Sequence, residues 1–169
     1  LSRLHLLGGP YVFGTPTSSL YRSDLVRGQE KFFPTSTTEA DTGACFKYLQ
    51  QTDFGFVHQV LSFERVHAQA MGAECRSLNS YASSRLAHLV EYGPIYLSQK
   101  ELRDRCDSIL DDYYQFLAAS VLHVRDKAFW KFQMRRLNEC GYPLSPMKLI
   151  TAVCARVANL VLNPKQTVE

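Results

Sequence analysis

The chain of 169 residues has little net charge and no long apolar run. Nineteen Lys and Arg against sixteen Asp and Glu give a formal net charge of +3, and the basic residues are spread along the chain. This balance does not favour a nucleic-acid partner. No apolar run approaches the roughly 20 residues of a membrane-spanning helix. Residues 1 to 9 also lack the charged-then-apolar order of a signal peptide.

Cysteine is sparse and irregularly spaced. The five cysteines are Cys45, Cys75, Cys106, Cys140 and Cys154. Their number is odd, their spacings are wide and no CxxC pair occurs, so neither a zinc site nor a disulfide framework is expected. Reduced cysteines in a cytoplasmic protein fit this pattern best.

Several nucleotide-binding motifs are missing. The segment "GGPYVFGTPTSS" (8–19) permits tight turns and close approach to a ligand, but it is neither a Walker loop nor a dinucleotide fingerprint. Asp111 and Asp112 lie inside a predicted helix and indicate a solvated face rather than a metal-binding DxD. The chain begins with Leu1, which suggests a part of a longer protein.

What is present falls into two regions. Residues 8–67 are rich in Gly, Pro, Ser and Thr; they predict a strand at 18–26, a short helix in "ADTGACFKYLQQ" and a strand at 53–66. Residues 77–162 predict about four helices. The fold class is therefore α+β and mostly helical, with a short sheet followed by these helices, and we expect a division into 1–70 and 71–169.

The helical region carries clear start and stop signals. They are Gly93-Pro94 as a stop, Ser98 and Glu101 as a capping box, Asp126 as an N-cap before a helix that ends ahead of Gly141, and Ser145-Pro146 as the start of the last helix, which stops at Asn163-Pro164. Such residues satisfy backbone groups that a helix end leaves unpaired.

The segment "EADTGAC" (39–45) has two interpretations. Asp41 in a first helical turn is favoured by capping and by the helix dipole. The same setting keeps a carboxylate ionised, so that Asp41 can accept a proton from a bound hydroxyl group while Glu39 orients sugar hydroxyls. The pair also suggests a glycosidase, although two acids so close on one segment do not obviously flank a bond.

Arg65 and His67 lie at the end of the predicted strand at 53–66. Residues two apart point to the same side of an extended chain. Together they can grip a diphosphate, or His67 can ligate its metal. The alternative is a solvated arginine and a loop histidine. His58, His88 and His123 are interpreted as structural or solvated.

Taken in order, "GTPTSSLYRSDLV", "EKFFP", "EADTGACFKYL" and "DFGFVHQVLSFERVH" resemble the second half of a family 2 glycosyltransferase catalytic domain. The last segment is the most specific and is similar to bacterial members that build surface polysaccharides. The resemblance covers residues 3 to about 70 and implies part of a GT-A nucleotide-diphospho-sugar transferase fold. It also implies a nucleotide-sugar donor, a glycan or lipid-linked acceptor, and a divalent metal, Mg or Mn, in the full-length enzyme.

The resemblance assigns roles to individual residues. Asp41 would be the base that deprotonates the acceptor hydroxyl, with inversion at the sugar. Arg65 and His67 would steady the diphosphate or its metal, and Gly14, Thr17 and Ser18 would line the acceptor side. The family often has adjacent Glu-Asp where this chain has Glu39-Ala40-Asp41, which leaves open which acid is the base; Asp41 leads directly into the helix.

The nucleotide-binding half of that family, with its DxD motif, would precede residue 1. This chain should then lack most of the donor site and can be inactive alone. The second hypothesis is a non-catalytic helical module for self-association or docking, formed by 77–162. The expected location is cytoplasmic, with peripheral attachment at the inner membrane face left open.

Overall fold

The computed structural model describes residues 1–33, 39–63 and 78–163. Within these ranges the chain forms α-helices and no β-strand. The helices are α1 (Ser2–Leu6), α2 (Ser23–Arg27), α3 (Ala40–Tyr48), α4 (Ser80–Tyr96), α5 (Gln99–Leu122), α6 (Lys127–Glu139) and α7 (Pro146–Leu162). The mostly helical class is confirmed, whereas the expected short sheet is not found in the described residues.

The strand predicted at 18–26 is wrong, because this stretch ends in the helix α2. Arg22 is the extended residue before the helix, and its Nη2 lies 2.7 Å from Oδ2 of Asp24 in the first turn. An acidic residue there is favoured by the helix dipole. Leu20 is 96% exposed. Apolar alternation alone does not make a strand, since a strand needs a neighbour for its backbone hydrogen bonds.

The strand predicted at 53–66 is wrong for its described part. Residues 53–63 adopt no regular secondary structure, and Phe56, Val60 and Phe63 are 64%, 79% and 93% exposed. Aromatic and β-branched residues favour strands only where they pack against cross-strand neighbours. Residues 64–66 lie outside the described residues.

The four helices predicted for 77–162 are confirmed as α4 to α7. The amide of Ser98 donates to Oε2 of Glu101 at 2.9 Å, and the Glu101 amide donates back to Oγ of Ser98 at 3.3 Å. Asp126 and Ser145 each accept a bond from the amide three residues later, at 2.8 and 3.4 Å. These bonds satisfy first-turn amides, which is why local sequence signals predicted the helix starts.

The stop predicted at Gly93-Pro94 is wrong, because α4 continues to Tyr96. The Gly93 carbonyl accepts a 2.8 Å bond from the amide four residues later. The Tyr96 hydroxyl donates to the carbonyl of Phe46 at 2.7 Å. A Cβ on Gly93 would lie 2.5 Å from Cδ1 of Leu102, so this glycine permits a close approach. Tertiary contacts therefore override the local signal.

The chain divides into two compact units, Leu1–Arg103 and Asp104–Glu169. The boundary expected at residue 70 lies outside the described residues. In the first unit, α1 and α3 both pack against α4. The buried apolar side chains of this unit include Phe13, Ala44, Phe46, Leu86, Leu89 and Tyr92.

The second unit has its own core. Tyr113, Leu117, Phe129 and Leu137 are buried, and the Tyr113 hydroxyl donates to Oε1 of the buried Gln133, which satisfies that amide oxygen. Within the described ranges, no helix is both long enough and apolar enough to cross a bilayer.

Candidate functional site

The acidic segment lies at the start of α3. Glu39 is the N-cap residue, and its side chain makes no capping bond. Instead, Oδ1 of Asp41 accepts a 2.8 Å hydrogen bond from the Thr42 amide. Asp41 therefore satisfies an amide that has no partner within the helix. The position of Asp41 at the helix start is confirmed. Its catalytic role stays a prediction. The bond to the Thr42 amide does not conflict with that role, because a carboxylate can accept further hydrogen bonds.

Glu39 is largely buried, with 19% of its side chain exposed, and its Oε2 lies 3.9 Å from Nδ1 of His88. Burial raises the pKa of Glu39 from its ordinary 4.5 to about 7. The charge of Asp41 adds to the rise, and the charge of Arg85 opposes it. Glu39 consequently exchanges a proton close to neutral pH, as acid–base groups in functional sites do.

His88 is a member of this site that the sequence analysis missed. It is 3% exposed, and its ring packs against Phe46 and Tyr92 with centroid separations of 5.5 and 6.3 Å. Arg85 and His88 are three residues apart in α4, so both lie on one side of that helix. This spacing is visible in the sequence, but nothing local predicts that this side of α4 meets Glu39.

Tyr11 joins the glycine-containing loop to the start of α3. Its hydroxyl donates to the Gly14 carbonyl at 2.7 Å and lies 3.1 Å from Oγ1 of Thr42. A phenol has one proton, so the Thr42 hydroxyl is the donor in the second bond. Burial raises the pKa of Tyr11 to about 12, and the charges of Asp41 and Glu39 add to the rise. The bridge therefore persists at neutral pH.

The loop residues predicted for the acceptor side form a turn rich in hydroxyl groups. The Thr15 amide donates to Oγ of Ser18 at 2.8 Å, and the Ser18 amide donates to the Thr15 carbonyl at 3.0 Å. The hydroxyls of Thr15 and Thr17 are 3.0 Å apart. Gly14 has a φ of +74°, a conformation that favours glycine. The structure thus brings Gly14, Thr17 and Ser18 to a turn that Tyr11 connects to α3.

Arg65 and His67 lie outside the described residues, so their distance from Asp41 stays a prediction. Within 1–33, 39–63 and 78–163, no group of three or more His, Cys, Asp or Glu side chains is arranged to hold a metal ion.

Comparison with known protein families, curated proteins and solved structures finds no match to this chain.

Proposed function

We propose that this chain supplies the acceptor side of an inverting glycosyltransferase of the GT-A type, with Asp41 as the general base. The observation that carries the proposal is the bridge through Tyr11. It ties the hydroxyl-rich turn at Gly14 and Ser18 to the helical turn that holds Asp41. A sugar alcohol bound by such a turn would lie near a carboxylate, as general-base catalysis requires.

In the proposed reaction, Asp41 takes the proton of an acceptor hydroxyl on a glycan or lipid-linked sugar. The oxygen then attacks the anomeric carbon of a nucleotide-sugar from the face opposite the nucleotide. A new carbon–oxygen bond forms while the bond to the diphosphate breaks, and the nucleoside diphosphate leaves with the electron pair. The configuration at the anomeric carbon inverts.

Glu39 has a different task in this proposal. Because burial raises its pKa to about 7, Glu39 holds a proton for part of the time at neutral pH, and only its ionised fraction can accept another. A protonated carboxyl can donate one hydrogen bond and accept others. Glu39 therefore orients acceptor hydroxyls beside Asp41, the general base. This division follows the rule that neighbouring acids with different environments take different roles.

The donor side rests on the family resemblance alone. Arg65 and His67 would contact the diphosphate, with His67 as a ligand of a Mg or Mn ion. The same resemblance implies a donor sugar and an acceptor of surface polysaccharide or glycoconjugate synthesis.

The proposal is tested by incubating the full-length protein with a panel of nucleotide-sugars and glycan acceptors. We expect nucleoside diphosphate release that depends on the acceptor, and a product with inverted anomeric configuration by NMR. Retained configuration would contradict the mechanism. Hydrolysis of a glycan without any donor would instead support a glycosidase that uses Glu39 and Asp41.

A second candidate function is self-association without catalysis. It is favoured by apolar side chains on α7, among them Met147, Ile150 and Val161, which are 75%, 59% and 73% exposed. Clustered exposure of this kind is uncommon on monomeric proteins.

A further inference from the structure

Helix α7 has two apolar faces. One face packs within its own unit, where Ala152 joins Tyr114 and Ala118 in a buried cluster flanked by Leu144, Leu149 and Val153. A different face is exposed and consists of Met147, Ile150, Cys154, Val157 and Val161. We call these five residues the α7 seam. Packing of the first face accounts for the stability of α7 as a helix. It does not account for the apolar residues that the α7 seam exposes.

The spacing of the α7 seam is that of a coiled coil. Its residues follow one another at intervals of three, four, three and four, which matches alternating a and d positions over two heptads. The exposed fractions of Met147, Ile150, Val157 and Val161 are 75%, 59%, 42% and 73%. A strict heptad stripe of exposed apolar residues is suited to a second helix with the same stripe.

Charge does not oppose contact between two copies. Between residues 146 and 162 the charged residues are Lys148 and Arg156. At about 100° per residue, both lie away from the α7 seam, and Arg156 is half-buried on the packed side. Two seams can therefore meet without placing like charges together, which would otherwise weaken the association.

The available area fits a weak dimer. The α7 seam exposes on the order of 500 Å² per copy, compared with about 800 Å² per partner in a standard interface. Helix formation adds no cost to the association, because α7 is already folded against its own unit. Membrane-surface helices usually carry aromatic residues and several basic ones, whereas α7 has no aromatic residue. These features favour a protein partner over a lipid surface.

We propose that the α7 seam is a two-fold interface with a second copy of this chain, centred on Cys154. The seam residues lie seven and four positions before Cys154 and three and seven positions after it. In an antiparallel pair, a two-fold axis that passes at Cys154 therefore places seam against seam; in a parallel pair the axis runs along the seam and brings the two Cys154 residues to the same level. The interface is isologous. It gives the second candidate function a specific surface and is independent of the transferase proposal.

The first test measures the dimer directly. Sedimentation equilibrium across a concentration series should give a dimer of the wild-type chain with a dissociation constant in roughly the micromolar range. The double variant Ile150→Asp, Val157→Asp should raise that constant about a hundredfold by placing charge on the seam. Both sites are exposed, so circular dichroism should stay unchanged. Ala155→Asp, on another exposed side of α7, is the matched control and should dimerise like the wild type.

The second test uses Cys154 as a probe of the axis. With diamide as oxidant, two Cys154 thiols lose two protons and two electrons to the diamide and form one disulfide between copies. We expect a covalent dimer that Cys154→Ser abolishes, while Cys154→Ser still dimerises in sedimentation. Sugar transfer is measured separately, so failure of one proposal is distinguishable from failure of the other.

Three results would overturn the inference. One is a wild-type chain that stays monomeric at every concentration. Another is a dimer that Ile150→Asp, Val157→Asp leaves intact. The third is a monomer that co-sediments with phosphatidylcholine–phosphatidylserine vesicles through the α7 seam, which would assign this surface to lipid.

Discussion

Replacing Glu39 by glutamine probes the buried carboxyl group beside α3. The substitution keeps the size and shape of the side chain, removes its titration and replaces one carboxyl oxygen with an amide NH2. In the folded chain, burial and the charge of Asp41 raise the pKa of Glu39 from 4.5 to about 7. The folded state therefore holds this proton more tightly than the unfolded state does.

The size and the sign of the effect follow from that difference. A rise from 4.5 to about 7 corresponds to about 3 kcal/mol between the protonation states. The stabilising contribution of the protonated group is fully present below pH 4.5, the ordinary value. It is lost as the pH rises through about 7, because folding then costs either a buried charge or a proton taken up. We therefore expect the free energy of unfolding to fall over this pH range.

The assay is urea denaturation of the wild-type chain and Glu39→Gln at a series of pH values that spans this range. The difference in unfolding free energy between the two proteins should change by about 3 kcal/mol from the acidic to the alkaline end. Measured against the wild-type chain, Glu39→Gln should gain stability as the pH rises from the acidic to the alkaline end. A difference that does not vary with pH would refute the assignment of this proton to Glu39.

Substitutions of two charged residues near Glu39 test the cause of its raised pKa, because they should move that pKa in opposite directions. Asp41→Asn removes a negative charge and should lower the pKa of Glu39, whereas Arg85→Gln removes a positive charge and should raise it. The measurement is the NMR titration of the Glu39 side-chain carboxyl carbon. Shifts in the same direction for both variants would contradict the electrostatic account.

Two further predictions concern the backbone. Gly14→Ala should lower the free energy of unfolding by about 1–2 kcal/mol, since Gly14 has a φ of +74° and an added Cβ would meet Oγ of Ser18. The control is Gly55→Ala, because Gly55 has open space around it. Equal effects of the two substitutions in urea denaturation would argue against strain at Gly14. Asp126→Ala should lower the free energy of unfolding by about 1 kcal/mol through loss of the N-cap bond from the Phe129 amide. Asp126→Asn keeps an acceptor and should retain most of that stability. An Asp126→Ala variant as stable as the wild type would show that the cap contributes nothing.

The sequence was informative where structure is decided locally. The helix starts at Ser98, Asp126 and Ser145 depend on side chains within three residues of the amides they accept from, so a short pattern predicts them. The start of α3 and the place of Asp41 in its first turn were predictable for the same reason.

The remainder depends on contacts between distant segments. The alternation at 18–26 and the aromatic run from Asp53 predicted strands, but a strand requires a partner that no local pattern specifies. Likewise, α4 passes Gly93-Pro94 because Tyr96 bonds to Phe46, fifty residues earlier. His88 approaches Glu39 across a similar separation, so its place in the site could not be read from its neighbours.

Two roles are considered for Asp41, helix capping and general-base catalysis, and two substitutions distinguish them. Asparagine keeps an oxygen that can accept the 2.8 Å bond from the Thr42 amide but removes the charge, whereas alanine removes both. Capping predicts a loss of about 1 kcal/mol of stability in Asp41→Ala only.

The most direct measurement is therefore the rate of sugar transfer by Asp41→Asn in the full-length protein, with the melting temperature measured alongside. The proposal predicts turnover reduced by about a hundredfold or more with the fold intact. Transfer at the wild-type rate would show that Asp41 only caps α3.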